Sequence, residues 1–132
     1  MDKTIVTQGK RKRAIARAAL KAGTGKVVIN GTDLSVFEPK LYRLKIMEPI
    51  ILSGDVGAQV NLSVKVIGGG QSSQASAARL AIGKALAQHS PKLKKLFLEY
   101  DRQMLVADVR RKESAKPGRH GQARAKRQKS YR

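Results

Sequence analysis

The stretch Val60-Asn61-Leu62-Ser63-Val64-Lys65-Val66-Ile67-Gly68-Gly69-Gly70 decides the fold. Val60, Leu62, Val64 and Val66 fall on one face of an extended chain and Asn61, Ser63 and Lys65 on the other, the two-residue period of a half-buried strand. The glycines break it. Beyond them Ala75, Ala78, Ile82, Ala85 and Leu86 recur at helical spacing to about residue 88. A strand therefore passes through a glycine turn into a helix whose small side chains permit close packing on a sheet.

Toward the N-terminus, Thr4 to Thr7 is β-branched and weakly alternating, which predicts a strand ahead of the cations Lys10, Arg11, Lys12 and Arg13. Ala14 to Leu20 reads two ways: alanine-rich composition with Gly23 close behind favours a short helix by propensity, while alternation allows a strand. Lys26 to Ile29 followed by Asn30-Gly31 is a strand entering a tight turn, since both turn residues tolerate positive φ. Pro39 suits the first turn of a helix through Leu41, Leu44 and Ile46, which Pro49 should stop. Toward the C-terminus, Ser90-Pro91 supplies an N-cap and a first-turn proline for a helix with Leu93, Leu96, Phe97 and Tyr100 inward and Lys92, Lys94, Lys95 and Glu99 outward. Phe37 and Tyr42 are assigned to the core with Phe97 and Tyr100. Together these elements predict an α+β fold with helices packed on one face of a sheet.

Charge sets the partner class. The net charge is +19, and ten of the 28 Lys and Arg but only one of the nine acids, Glu113, fall between Arg110 and Arg132. With little apolar surface beyond Pro117 and Tyr131, that segment does not offset an ordering entropy of roughly 1–2 kcal/mol per residue, so its structure must come from a polyanion. We divide the chain into a globular RNA-binding α+β domain, residues 1–107, and an extended basic tail, residues 108–132. The tail lacks the apolar face that membrane insertion needs, no run approaches a membrane span, and no signal-peptide order marks the N-terminus; a soluble intracellular protein is expected.

The chemistry of a catalyst is missing. There is no cysteine, His89 and His120 stand apart without ligand-spaced partners, and Asp101, Asp108 and Glu113 each sit among cations that depress carboxylate pKa values. They read as ion-pair partners; no nucleophile, base and orienter assemble, and no cofactor or metal is expected. Gly23-Thr24-Gly25-Lys26 lacks the glycine spacing and following hydroxyl of a phosphate loop and reads as a turn. Gly68-Gly69-Gly70 serves either as a steric turn or as a close approach for phosphate at a helix N-terminus, and the two coexist readily. Among a nuclear address, a solvated face and an RNA contact for Lys10 to Arg13, electrostatics favours RNA, because phosphates neutralise mutually repelling cations. Aromatic content of 4% argues against a base-stacking platform, with Tyr131 alone placed to stack or to stay free. On chemistry alone the competing reading is a DNA-compacting or general RNA-binding protein.

The ordered set of motifs resembles the family of the ninth protein of the small ribosomal subunit, across essentially the whole chain. The resemblance rests on Gly9-Lys10-Arg11-Lys12-Arg13-Ala14, on Val66-Ile67-Gly68-Gly69-Gly70 followed by Gln74, Ala75, Ala78, Arg79, Ile82, Lys84, Ala85 and Leu86, and on the C-terminal third. There it is carried by Tyr100-Asp101-Arg102, Leu105-Val106-Ala107-Asp108, Arg110-Arg111, Glu113-Ser114, Lys116, Gly118, Ala123-Arg124 and Gln128-Lys129-Ser130-Tyr131-Arg132. The Ser-Tyr-Arg ending is similar to the archaeal and eukaryotic branch, while Val109 and Pro117 depart from the pattern.

The resemblance implies a mixed four-stranded sheet with helices on one face and a left-handed crossover, and it makes Ala14 to Leu20 a strand. It also implies a cytoplasmic structural constituent of the small subunit, not an enzyme. Expected partners are small-subunit ribosomal RNA, P-site transfer RNA and neighbouring head proteins, with no membrane. Ribosomal RNA contacts are expected from Lys10, Arg11, Lys12, Arg13, Gly68, Gly69, Gly70, Arg79, Arg110, Arg111, Lys112, Lys116, Arg119, Arg124, Lys126 and Arg127. Transfer RNA contacts are expected from Lys129, Ser130 and Arg132.

Overall fold

The computed structural model describes residues 3–132. Its strands are β1 (Ile5–Arg11), β2 (Ala14–Ala22), β3 (Val27–Ile29), β4 (Thr32–Asp33) and β5 (Val60–Ile67), and its helices α1 (Lys40–Ser53), α2 (Asp55–Ala58), α3 (Gln71–His89) and α4 (Pro91–Tyr100). The strands form one mixed sheet in the order β1-β2-β5-β3-β4. The strand that decides the fold is thus its centre, antiparallel to β2 and parallel to β3. The fifth strand, beyond the expected four, is the two-residue β4, which Asn30 (φ 49°) and Gly31 (φ 82°) turn back onto β3.

Ala14 to Leu20 is a strand, contrary to its helix propensity. Alternation wins because β2 is paired on both sides and Ala14, Ala16, Ala18 and Leu20 are all fully buried beneath the helices. Small side chains here and at Ala75, Ala77, Ala78, Ala81 and Ala85 bring α3 almost onto the sheet. At Gly9 the approach is closest: a Cβ there would run into the Ala77 carbonyl and the Ala81 amide, and the neighbouring Thr7 Oγ1 donates to the Ala81 carbonyl at 2.7 Å. Gly23 to Lys26 is a turn, its Thr24 and Lys26 amides donating to Asn61 Oδ1 at 2.9 and 3.0 Å.

Two expectations about the helices are corrected. Pro49 does not stop α1, which runs to Ser53. The helix loses one backbone bond there, but Pro49 and Ile46 are buried in the packing, and the adjacent Glu48 is held by Arg79 of α3. Ser90 and Pro91 open α4 at the N-cap and in the first turn as expected, although the Ser90 side chain makes no capping bond. In α4 only Leu93 and Phe97 are buried, whereas Leu96 and Tyr100 are exposed, because α4 touches the core along a narrow i, i+4 edge rather than a full face. Leu41 and Leu44 of α1 are likewise exposed. Among the described residues no helix is long and apolar enough to cross a membrane.

Candidate nucleic-acid interface

Three separate pieces of sequence meet in one open cleft of about 680 Å³. The first is the β1–β2 hairpin end. Arg11 pairs with Ala14, so Lys12 and Arg13 form the turn, and Lys12 adopts a left-handed φ of 53°. For a residue with a side chain that conformation costs roughly 1–2 kcal/mol, and glycine would relieve it. A cation stands there instead.

The second piece is the glycine turn. Gly68 (φ 74°) and Gly69 (φ 64°) take conformations that favour glycine, and a Cβ at Gly68 would lie 2.6 Å from the Arg13 carbonyl. The turn thereby presses the hairpin against the start of α3. Gly69, Gly70 and Ser73 line the cleft. The helix opens at Gly70 without a side-chain cap and without an acid in its first turn, leaving its positive end directed at whatever occupies the cleft. The steric and anion-binding readings of these glycines are therefore compatible.

The third piece is the root of the tail, Arg110, Arg111 and Lys112. It is fixed to the hairpin by Asp108, whose carboxylate meets Arg11 Nη2 at 3.4 Å and Arg110 Nη2 at 2.7 Å, alongside a parallel backbone bridge between Asp108 and Arg11. Arg111 Nη1 donates to the Lys12 carbonyl at 2.9 Å. The Arg110 side chain, then its backbone N–H, hold the Asp108 carboxyl far below the ordinary aspartate range, outweighing desolvation, with Arg11 adding to the effect. Asp108 in turn raises Arg110.

The cleft therefore gathers Arg11, Lys12, Arg13, Arg110, Arg111 and Lys112 in its lining, and the Asp108 carboxylate meets two of them, Arg11 and Arg110. Among the described residues Lys12, Arg13, Arg111 and Lys112 form no ion pair. Such a surface attracts closely spaced phosphates. No group of three or more His, Cys, Asp and Glu that could hold a metal ion occurs among the described residues.

The remaining predicted residues lie elsewhere. Lys10 is exposed beside the cleft, in a small depression with Arg11 and Lys45. Arg79 is corrected to an internal tie: it is 8% exposed, its Nε donates to Glu48 Oε2 at 2.7 Å and its Nη2 to Asp101 Oδ2 at 3.0 Å, so its charge is met inside the fold. Burial opposes ionisation of Asp101, but the Gln103 amide and the Arg79 guanidinium outweigh it and lower the carboxyl. Lys116, Arg119, Arg124, Lys126, Arg127, Lys129, Ser130 and Arg132 are exposed and lack helix or strand; their bonds are local, Lys116 to Glu113 and Arg124 Nη1 to Gln128 Oε1. The three late acids thus act as ion-pair partners. Sequence reading missed Ser73 and the Asp108 clamp; the position of Ser73 in the first turn after the glycines was the available signal.

Comparison with known proteins identifies the family. The sequence model of the family described as "Ribosomal protein S9/S16" matches residues 9–132. The chain is 48% identical over 133 residues to the small ribosomal subunit protein uS9 of Methanococcus vannielii, covering 98% of this chain and 99% of that protein. Identity and coverage are the same for the small ribosomal subunit protein uS9 of Methanococcus maripaludis strain C5. A structural constituent of the small ribosomal subunit rather than an enzyme, the chain belongs to the ribosomal protein S9/S16 family.

Proposed function

We propose that the cleft binds ribosomal RNA of the small-subunit head through its phosphates and that the tail continues from it to P-site transfer RNA. The observation that carries this reading is the convergence of six cations on one cleft where the tail begins, only two of them, Arg11 and Arg110, met by the Asp108 carboxylate. In water such a cluster is self-repelling; with phosphates in place it is neutralised. The tail beyond is thin and rich in Lys, Arg and Gly, suited to threading between RNA helices and taking its shape from them. Lys129, Ser130 and Arg132 at its end contact the transfer RNA, and the exposed apolar residues of α1 and α4 are available to neighbouring head proteins in the cytoplasmic ribosome.

Two measurements test this. With six to ten phosphates neutralised, affinity of the free chain for small-subunit RNA falls by about 10³–10⁵ between 50 and 200 mM salt, and a flat dependence removes the phosphate reading. Subunits carrying a chain that lacks residues 129–132 assemble but hold P-site transfer RNA more weakly; unchanged retention removes the transfer RNA contact and leaves the scaffold role.

A further inference from the structure

The helices cover one face of the sheet and leave the other bare. In the register of the three longest strands, Gln8, Arg17 and Lys65 lie directly opposite one another across β1, β2 and β5, and farther along the same face, past Ala19 and Ser63, Lys21 lies opposite Asn61. All of these positions alternate with the buried residues of their strands and so point away from α3. Arg17, Lys21 and Lys65 are exposed, and among the described residues none forms an ion pair.

That arrangement works against the sheet. Arg17 and Lys65 are like charges on directly paired positions, where Cβ atoms stand about 4.5–5.5 Å apart and repulsion is destabilising. A threonine or valine at either place would pair better. No carboxylate relieves them: the outward positions of the described strands hold one acid, Asp33 on β4 at the far edge, and its carboxylate already accepts from the Ser35 amide at 2.9 Å and hydroxyl at 2.8 Å. Two unpartnered apolar side chains, Val6 and Ile67, are 67% and 57% exposed on the same face. Ala19 and Ser63, in the same cross-strand row as Val6, form a shallow strip, and Gln8, Arg17 and Lys65 make up the next row toward Ile67.

We propose that this bare face is a second RNA-binding surface, which seats an A-form duplex by its backbone, with Arg17, Lys21 and Lys65 on the phosphates. The inference rests on the RNA reading of the cleft. Duplex RNA is read by shape, through phosphates and 2′-hydroxyls across a wide and shallow minor groove, and a bare sheet face with a shallow strip at Ala19 and Ser63 between the cations Arg17 and Lys65 on one side and Lys21 on the other is complementary to that form. Gln8 and Ser63 supply hydrogen-bonding groups for ribose. The face adjoins the cleft through the β1–β2 hairpin, so RNA seated on the sheet continues past Lys12 and Arg13 toward α3.

The test uses the full chain and small-subunit RNA transcribed in vitro, comparing R17Q/K65Q with the cleft variant R13Q/R111Q. Each double variant lowers the slope of log affinity against log salt by about two, one for each phosphate left without its cation. Melting of R17Q/K65Q stays level or rises, because the like-charge pair is gone, which separates weakened binding from impaired folding. If the cleft variant shifts the slope and R17Q/K65Q does not, the sheet-face inference is overturned and the cleft reading stands; if neither does, both fall. As an independent reading, Ser63→Cys supplies a unique thiol in a chain without cysteine. Carrying a hydroxyl-radical source into reconstituted subunits, it cuts both strands of one RNA helix. Cuts confined to a single strand, or cleavage of a neighbouring protein with none of RNA, overturn the inference.

Discussion

Arg11 in the first strand holds Asp108 at the root of the tail, by a 3.4 Å ion pair and by a parallel bridge between their backbones. The tail is consequently aimed along the hairpin before any RNA is present. Replacing Asp108 with Asn weakens this clamp and leaves Arg11 and Arg110 without their shared counter-charge. Amide exchange then quickens across residues 105–111 while α3 keeps its protection; unchanged exchange at the root would show that the carboxylate does not hold it.

The same residue shapes the acid response. Asp108, Asp101 and Asp33 all have folded-state pKa values below the ordinary one, so the unfolded chain takes up their protons first as pH falls. Their stabilisation is complete above the unfolded value of about 3.9 and disappears as pH drops through the lower folded values. Urea unfolding between pH 7 and 2 shows a plateau followed by a loss below about pH 4, and the gap between wild type and D108N narrows over that acid range.

Lys12 separates stability from binding. Lys12→Gly relieves a left-handed conformation worth roughly 1–2 kcal/mol and adds about 0.5–1 kcal/mol of chain entropy to the unfolded state. Stability by urea titration stays level or rises by about 1 kcal/mol, while the salt slope of RNA binding shrinks by about one.

Arg79 does the reverse. Arg79→Met strands Glu48 and Asp101, but both carboxylates keep more than a third of their side-chain surface, 37% and 38%, so water replaces much of what is removed. A cost of about 1–2 kcal/mol is expected, below the value for a fully buried pair, with the salt slope of RNA binding unchanged.

Gly9 lies hard against the backbone of α3. Gly9→Ala drives a methyl into the backbone of α3, and overpacking of that kind costs about 1–3 kcal/mol. Melting falls by roughly 4–8 °C for each kcal/mol in a body of this size. An unchanged melting temperature would mean that α3 shifts outward at no cost.

The strand β5 was legible because burial on one side imposes a clean period of two, and α3 because Ala75, Ala78, Ile82, Ala85 and Leu86 recur at helical spacing, although burial there extends round the helix, unbroken from Ala77 to Gly83. Ala14 to Leu20 misled propensity, since alanine states a backbone preference but not that strands lie on both sides of it. Pro49 misled for a related reason: the packing that compensates its missing donor comes from Arg79 and the α3 face. The hairpin cations, the glycines and the tail root were each singled out in the sequence, yet their convergence was not, because no local pattern reports that residues near 12, 70 and 111 share a cleft. The internal tie of Arg79 is hidden for the same reason, since its two carboxylates are distant in sequence.

A cleft assembled from the opening hairpin, the middle of the chain and residues 110–112 has a consequence for synthesis. A nascent polypeptide halted before Arg110 already holds the hairpin and the glycine turn but only three of the six cleft cations. Its hold on polyanions is correspondingly weak until the last stretch leaves the exit tunnel. On the proposed reading, strong capture of RNA is thereby deferred until residues 110–112 have emerged, sparing the nascent chain from entanglement with the machine that makes it.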